Sequence, residues 1–110
     1  DMVGHSGNVE ATIQACEILD STIGRLVKKA LANAYDVMIT ADHGNAEQMY
    51  DPTAKSRHTA HTTNPVPFIL VTNKAIKLRP KGSLTQIAPL ALTLLDLPIP
   101  KEMGPSLRIG

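Results

Sequence analysis

Residues 36–45, DVMITADHGN, join a short apolar run to a group of polar side chains. The run at 36–41 does not alternate apolar and polar residues, which is typical of a strand in a parallel sheet covered on both faces. Asp42 and His43 follow its carboxyl end, where ligands bind in α/β sheets, and Gly44 allows the chain to turn there. The stretch therefore predicts an α/β fold in which this strand delivers Asp42 and His43 to a binding site.

These two residues also have a simpler interpretation. A regular strand points adjacent side chains to opposite faces, whereas a strand that breaks at a glycine can direct both to one point. The alternative is that Asp42 only caps a turn and that His43 is an ordinary surface residue. The stretch alone does not decide between the two.

A second apolar run of the same kind lies at residues 66–72, VPFILVT. The connection between the two runs, 42–65, is long and polar for a crossover, and loops of that length are usually functional or disordered. Two strands cannot make a sheet that is buried on both faces. We therefore expect further strands in a part of the protein outside this chain, with completion of the sheet by dimerisation as the alternative.

A long amphipathic helix is predicted over residues 9–32. Apolar residues recur there at three- and four-residue steps, with charged residues between them. Cys16 lies on the apolar stripe, and we expect it to be a small buried hydrophobic residue.

The remaining segments are less regular. A helix capped by Ser83 or Thr85 is predicted to run to about Leu95. Residues 1–8 are predicted to form a loop because they contain two glycines, and residues 97–110 an irregular tail because they contain three prolines.

Composition excludes several classes of protein. One cysteine cannot form an internal disulfide, and 11 basic against 10 acidic residues with three aromatics argue against nucleic-acid binding. The longest apolar run, 66–71, is far below the roughly 20 residues of a membrane span. The expectation is a cytoplasmic protein with neither nucleic acid nor membrane as a partner.

Candidate metal ligands occur in three short segments. Asp1 and His5 are four residues apart, Asp42 and His43 are adjacent, and the third segment, residues 58–62, contains two histidines. Aspartate and histidine suit Zn²⁺ or Mn²⁺, and a set without cysteine favours hydrolysis or phosphoryl transfer over a structural zinc site. Each segment taken alone also fits solvated surface residues.

The same segments carry a family resemblance. DMVGHSGN (1–8), TADHGNAEQM (40–49) and HTAHTTNPVPFI (58–69) closely resemble the cofactor-independent (2,3-bisphosphoglycerate-independent) phosphoglycerate mutases of the alkaline phosphatase superfamily. The IAPLALTLLDLP stretch (87–98) is similar to that family's C-terminus. The resemblance implies a three-layer α/β/α domain with a mostly parallel sheet. Residues 1–110 would be its C-terminal segment, with the N-terminal strands and the inserted transferase domain absent.

The resemblance also implies an activity and a ligand set. Members of the family are glycolytic isomerases that interconvert 3-phosphoglycerate and 2-phosphoglycerate through a phosphoserine. They use two Mn²⁺ or other divalent ions and no 2,3-bisphosphoglycerate. By motif match, one ion would be bound by Asp1, His5 and His61, and the other by Asp42 and His43. His58 matches a more variable position and is left out of the set.

No catalytic residue is assigned to this chain, because the family's nucleophilic serine lies outside it. We expect the segment alone to be inactive and able to self-associate, and the full-length enzyme to be monomeric. Two alternatives remain open: another metal-dependent hydrolase of the same superfamily, or a non-catalytic metal-binding module.

Overall fold

Two compact units make up the chain, Asp1–Val71 and Thr72–Gly110. A computed structural model describes residues 1–109 of them. The first unit contains α1 (Met2–His5), α2 (Val9–Leu31), β1 (Val37–Thr40), β2 (Tyr50–Asp51), β3 (Ser56–Arg57) and β4 (Phe68–Val71). The second unit contains a 3₁₀ turn (Leu84–Gln86), α3 (Ile87–Leu94) and a 3₁₀ turn (Lys101–Met103).

Helix α2 confirms the predicted long helix nearly residue for residue. It begins after Asn8, whose side-chain oxygen accepts a hydrogen bond from the Ala11 backbone N–H at 3.1 Å. Glu10 lies in its first turn and two lysines in its last, an order that suits the helix dipole.

Helix α1 corrects the prediction of a loop over residues 1–8. The His5 N–H donates to the Asp1 carbonyl at 3.1 Å and closes one helical turn. Gly7, with a φ of +65°, then separates α1 from α2. The two glycines predict a loop, but Gly4 is buried within the helical turn, where the lack of a side chain allows Asn45 to pack closely.

The two apolar strands pair antiparallel, so the prediction that both run parallel is wrong for this pair. In the register, Val37 lies opposite Val71 and Thr40 opposite Phe68. Parallel neighbours need a crossover, usually a helix. The connection between β1 and β4 instead contains the small β2–β3 hairpin, and β4 returns directly alongside β1.

The outer face of α2 is left uncovered. Cys16 is exposed, which contradicts the prediction that it is buried. Its apolar neighbours are exposed as well, with Ile18 68% and Leu19 57% accessible. The periodicity identified an apolar stripe correctly, but among residues 1–109 nothing packs against this part of it.

The second unit confirms the predicted helix and its cap. Ser83 and Gln86 form a capping box that leads through the first 3₁₀ turn into α3. Pro89 and Leu90 are fully buried. The tail after α3 is irregular as expected, although Leu107 is buried and its carbonyl accepts from the Arg79 N–H at 2.9 Å.

Of the helices within residues 1–109, none combines the length and the apolar character that crossing a bilayer requires.

Candidate metal centre

Helix α1 brings the first two candidate ligands together. Asp1 is its N-cap and His5 its last residue, and a separation of four places both on one face. Asp1 Oδ1 lies 3.3 Å from His5 Nε2. The short helix that replaces the predicted loop is therefore what joins this pair.

His61 completes a cluster of three. Its Nε2 lies 3.0 Å from His5 Nε2 and 3.4 Å from Asp1 Oδ1. One donor atom from each of Asp1, His5 and His61 falls within 4.8 Å of the others. Residues 56 positions apart in sequence thus present their donors to one point.

Asp42 and His43 lie beside this cluster at the end of β1. The His43 ring stacks on the His61 ring, with centroids 3.4 Å apart and planes inclined by 19°. His43 Nε2 is 3.6 Å from Asp42 Oδ1 and 3.9 Å from Asp1 Oδ1. The structure therefore brings all five sequence-predicted residues together, as a group of three and an adjacent pair.

Backbone carbonyls orient two of the histidine rings. His5 Nδ1 lies 2.5 Å from the Thr59 oxygen, and His43 Nδ1 lies 3.2 Å from the Gly44 oxygen. A carbonyl only accepts, so Nδ1 of each ring is the donor, and Nε2 is the atom that faces the other candidate ligands. Hydrogen bonding of the remote nitrogen in this way is typical of metal-bound histidines.

The protonation of His61 also suits a ligand. Desolvation is the main cause that holds the pKa of His61 below its usual value, and repulsion from the protonated forms of His43 and His5 lowers it further. A neutral imidazole is the form that binds metal.

The spacing of the three donors fits a bound cation. Four-coordinate zinc with Zn–N bonds of 2.0–2.1 Å implies ligand–ligand distances of about 3.3–3.4 Å. The distances among Asp1, His5 and His61 are 3.0, 3.3 and 3.4 Å. Lone pairs this close repel one another unless a cation or proton lies between them.

Two further side chains, which sequence reasoning missed, hold the ligand segments in place. Asn45 is 9% exposed, and its Nδ2 donates to the Ala60 carbonyl at 3.0 Å. Its Oδ1 lies where a Cβ on Gly4 would be, so Gly4 is required for this contact. Asn45 thereby touches both α1 and the segment that contains His61.

Glu47 is the second of these. Its carboxylate accepts from the Asn45 N–H at 2.6 Å, from the Thr62 hydroxyl, and from Asn64 Nδ2 at 3.0 Å. These hydrogen bonds lower the pKa of Glu47 to about 2, and the bond from Thr62 has the largest effect. The available signal was an Asn directly after the Asp42–His43–Gly44 motif and a Glu two residues further on, but their partners in the segment that contains His61 lie 15 or more residues away.

His58 is not part of the cluster of donors within residues 1–109. Its backbone N–H donates to the Met49 carbonyl at 3.0 Å and anchors the hairpin end of the loop. Its ring Nδ1 is buried and makes no hydrogen bond among the described residues.

Comparison with known proteins identifies relatives of the same kind. The chain is 52% identical to the 2,3-bisphosphoglycerate-independent phosphoglycerate mutase of Vibrio cholerae over 104 residues, which are 94% of this chain and 20% of that protein. It is 52% identical to the Pseudomonas fluorescens protein of the same name over 103 residues, with the same coverage. The chain thus spans about a fifth of the length of the curated relatives it matches.

A solved structure is similar over nearly the whole chain. It is a phosphoglycerate mutase of Leishmania mexicana, crystallised at low cobalt concentration, with a TM-score of 0.88 and 28% identity over 99% of this chain and 23% of that one. This likeness confirms the α/β class, and the identities confirm the resemblance to cofactor-independent phosphoglycerate mutases. The sequence pattern of the Metalloenzyme superfamily matches residues 1–99, and the chain belongs to that superfamily.

Proposed function

We propose that this chain provides metal ligands to a cofactor-independent phosphoglycerate mutase that interconverts 3-phosphoglycerate and 2-phosphoglycerate through a phosphoserine. The observation that carries the proposal is the convergence of Asp1, His5 and His61, with Asp42 and His43 beside them, in a chain about half identical to such mutases. The convergence depends on the fold, because the ligands come from three separate segments.

The proposed centre holds two divalent ions, Mn²⁺ in the first instance, and needs no 2,3-bisphosphoglycerate. Asp1, His5 and His61 would hold one ion, and Asp42 and His43 would contribute to the other. When bound, such ions activate a nucleophilic oxygen and neutralise charge on a transferring phosphoryl group.

This chain's own residues orient the donor atoms. The Thr59 carbonyl keeps the proton of His5 on Nδ1, and the Gly44 carbonyl does the same for His43. The stacking of His43 on His61 fixes the two rings relative to each other. The nucleophilic serine and the groups that bind substrate are proposed to lie outside residues 1–110.

We also propose that residues 1–110 are a C-terminal segment of a larger phosphatase-like domain, in a monomeric and cytoplasmic glycolytic enzyme. The uncovered face of α2 supports this, as does Ile69 in β4, which is 49% exposed in a two-stranded sheet. Apolar patches of this kind usually mark an interaction surface.

A metal-binding module without catalysis is a second candidate. The cluster of Asp1, His5 and His61 assembles within 4.8 Å using residues of this chain alone. A module would bind metal tightly in isolation and would support no turnover in any context.

The experiment is an assay of the intact protein that carries these residues. After metal removal, we expect conversion of 3-phosphoglycerate to return with Mn²⁺, and we expect none from residues 1–110 alone. His61→Ala should weaken Mn²⁺ binding more than 100-fold, beyond the range of changes outside the ligand shell. His58→Ala, which alters a histidine of the same loop, is the matched control.

Each result decides between the candidates. Mn²⁺ binding without turnover by the intact protein would favour the binding module. Equal effects of His61→Ala and His58→Ala would show that the ligand assignment is wrong.

A further inference from the structure

Two loops carry three of the proposed ligands, and one carboxylate connects them. We name residues 42–49 ligand loop 1 and residues 58–64 ligand loop 2. We propose that Glu47 is a positioning residue, whose carboxylate fastens ligand loop 1 to ligand loop 2 and so sets the approach of His43 to His61. The inference rests on the proposed metal centre for its effect on metal affinity.

Glu47 makes more bonds across the loops than any other side chain described there. One carboxylate oxygen accepts from the Asn45 N–H at 2.6 Å and shapes ligand loop 1. The other accepts from the Thr62 hydroxyl and from Asn64 Nδ2 at 3.0 Å, both in ligand loop 2. A charged acceptor with three donors makes strong, directional hydrogen bonds.

A backbone hydrogen bond joins the same two loops. The Thr62 N–H donates to the Gly44 carbonyl at 2.8 Å and forms an isolated β-bridge outside the named strands. A Cβ on Gly44 would collide with the side chains of both Thr62 and Glu47. Since Gly44 follows His43 and Thr62 follows His61, this bridge sets the spacing of the two imidazoles.

The joined loops hold the candidate donor atoms close to one another. His5 Nε2 and His61 Nε2 are 3.0 Å apart, and Asp1 Oδ1 lies within 3.4 Å of both. Glu47 is exposed and lies outside the donor cluster, so its role is to hold the loops and not to bind the metal.

The decisive variant is Glu47→Gln in the intact protein. Glutamine keeps the shape, but its amide nitrogen cannot accept a hydrogen bond, so it cannot satisfy all three donors. Glu17→Gln, an exposed carboxylate on α2, makes the same change of charge and is the control. Thr62→Val removes one donor and serves as a milder second variant if Glu47→Gln does not fold.

Two measurements are made on each protein. In the metal-free form, hydrogen–deuterium exchange of a peptide covering residues 58–66 reports on the bridge from Thr62 to Gly44. We expect exchange about threefold to tenfold faster in Glu47→Gln and Thr62→Val, the effect of losing one hydrogen bond. Mn²⁺ affinity should fall about 10- to 100-fold, as for other residues that orient metal ligands.

The outcomes separate this inference from the proposed function. If the wild type binds no Mn²⁺, the proposed function fails, while the exchange rates still decide whether Glu47 holds the loops. Unchanged exchange and affinity in Glu47→Gln would overturn the inference. A loss of affinity in Glu17→Gln of the same size would overturn it too, because the effect would then reflect net charge.

Discussion

Replacing Gly4 with alanine should destabilise the protein, although alanine favours helices. Gly4 lies in α1 between the proposed ligands Asp1 and His5. A Cβ at this position would overlap Asn45 Oδ1 and lie 2.8 Å from Asn45 Cγ. The Asn45 side chain would have to move and would lose its 3.0 Å hydrogen bond to the Ala60 carbonyl.

The expected change in the free energy of unfolding follows from two destabilising effects and one stabilising effect. Overpacking a filled site costs about 1–3 kcal/mol, and loss of one hydrogen bond by a nearly buried amide costs about 1 kcal/mol or more. The gain in helix propensity from glycine to alanine is at most about 1 kcal/mol. We therefore expect Gly4→Ala to lower the free energy of unfolding by about 1–3 kcal/mol.

Gly24 supplies the matched control. It lies in α2, and a Cβ there meets no atom within 4 Å. Gly24→Ala should therefore raise the free energy of unfolding by about 0.5–1 kcal/mol through helix propensity and chain entropy. Urea unfolding of the metal-free intact protein, followed by circular dichroism, measures both variants. If Gly4→Ala stabilises as much as Gly24→Ala, then Asn45 does not pack against α1 as described.

Three other changes test separate parts of the structure. The pKa of Glu47, lowered from 4.5 to about 2, predicts that its contribution to stability is complete above about pH 4.5 and is lost as the pH falls towards 2. The urea midpoint of Glu47→Gln should therefore change less than that of the wild type between pH 5 and 2.5, and equal slopes would contradict this. Leu90→Ala removes a fully buried side chain of α3 and should cost about 2–5 kcal/mol in thermal or urea unfolding, whereas a cost below 1 kcal/mol would mean that α3 is not packed as described. Asn8→Ala removes the α2 cap and should cost about 1 kcal/mol, and a Gly substitution there should cost less.

Local rules were sufficient for helices α2 and α3. Apolar periodicity predicted α2, and Ser83 or Thr85 marked the start of the second helical segment, because both signals depend on neighbours within a few residues. Strand positions were also predicted, but the predicted parallel direction was wrong for this pair. The pairing of Val37 with Val71 depends on the path of the intervening loop, and periodicity carries no information about that path.

The prediction that Cys16 is buried was wrong for a related reason. Periodicity shows which face of a helix is apolar, but it does not show whether another element covers that face. In residues 1–109 the face of α2 around Cys16 and Ile18 is exposed. Coverage of a surface is a property of the assembled protein, and a stripe in the sequence only makes it possible.

The sequence by itself determined the candidate ligands of this chain: aspartates and histidines in three segments that resemble one family of phosphoglycerate mutases. The tertiary structure decided which donors meet, because Asp1, His5 and His61 converge only when α1 and ligand loop 2 are brought together. It also revealed Asn45 and Glu47, each of which makes a hydrogen bond to a residue 15 or more positions away. Side-chain identity is local, whereas distances of 3–4 Å between remote residues depend on how the whole chain packs.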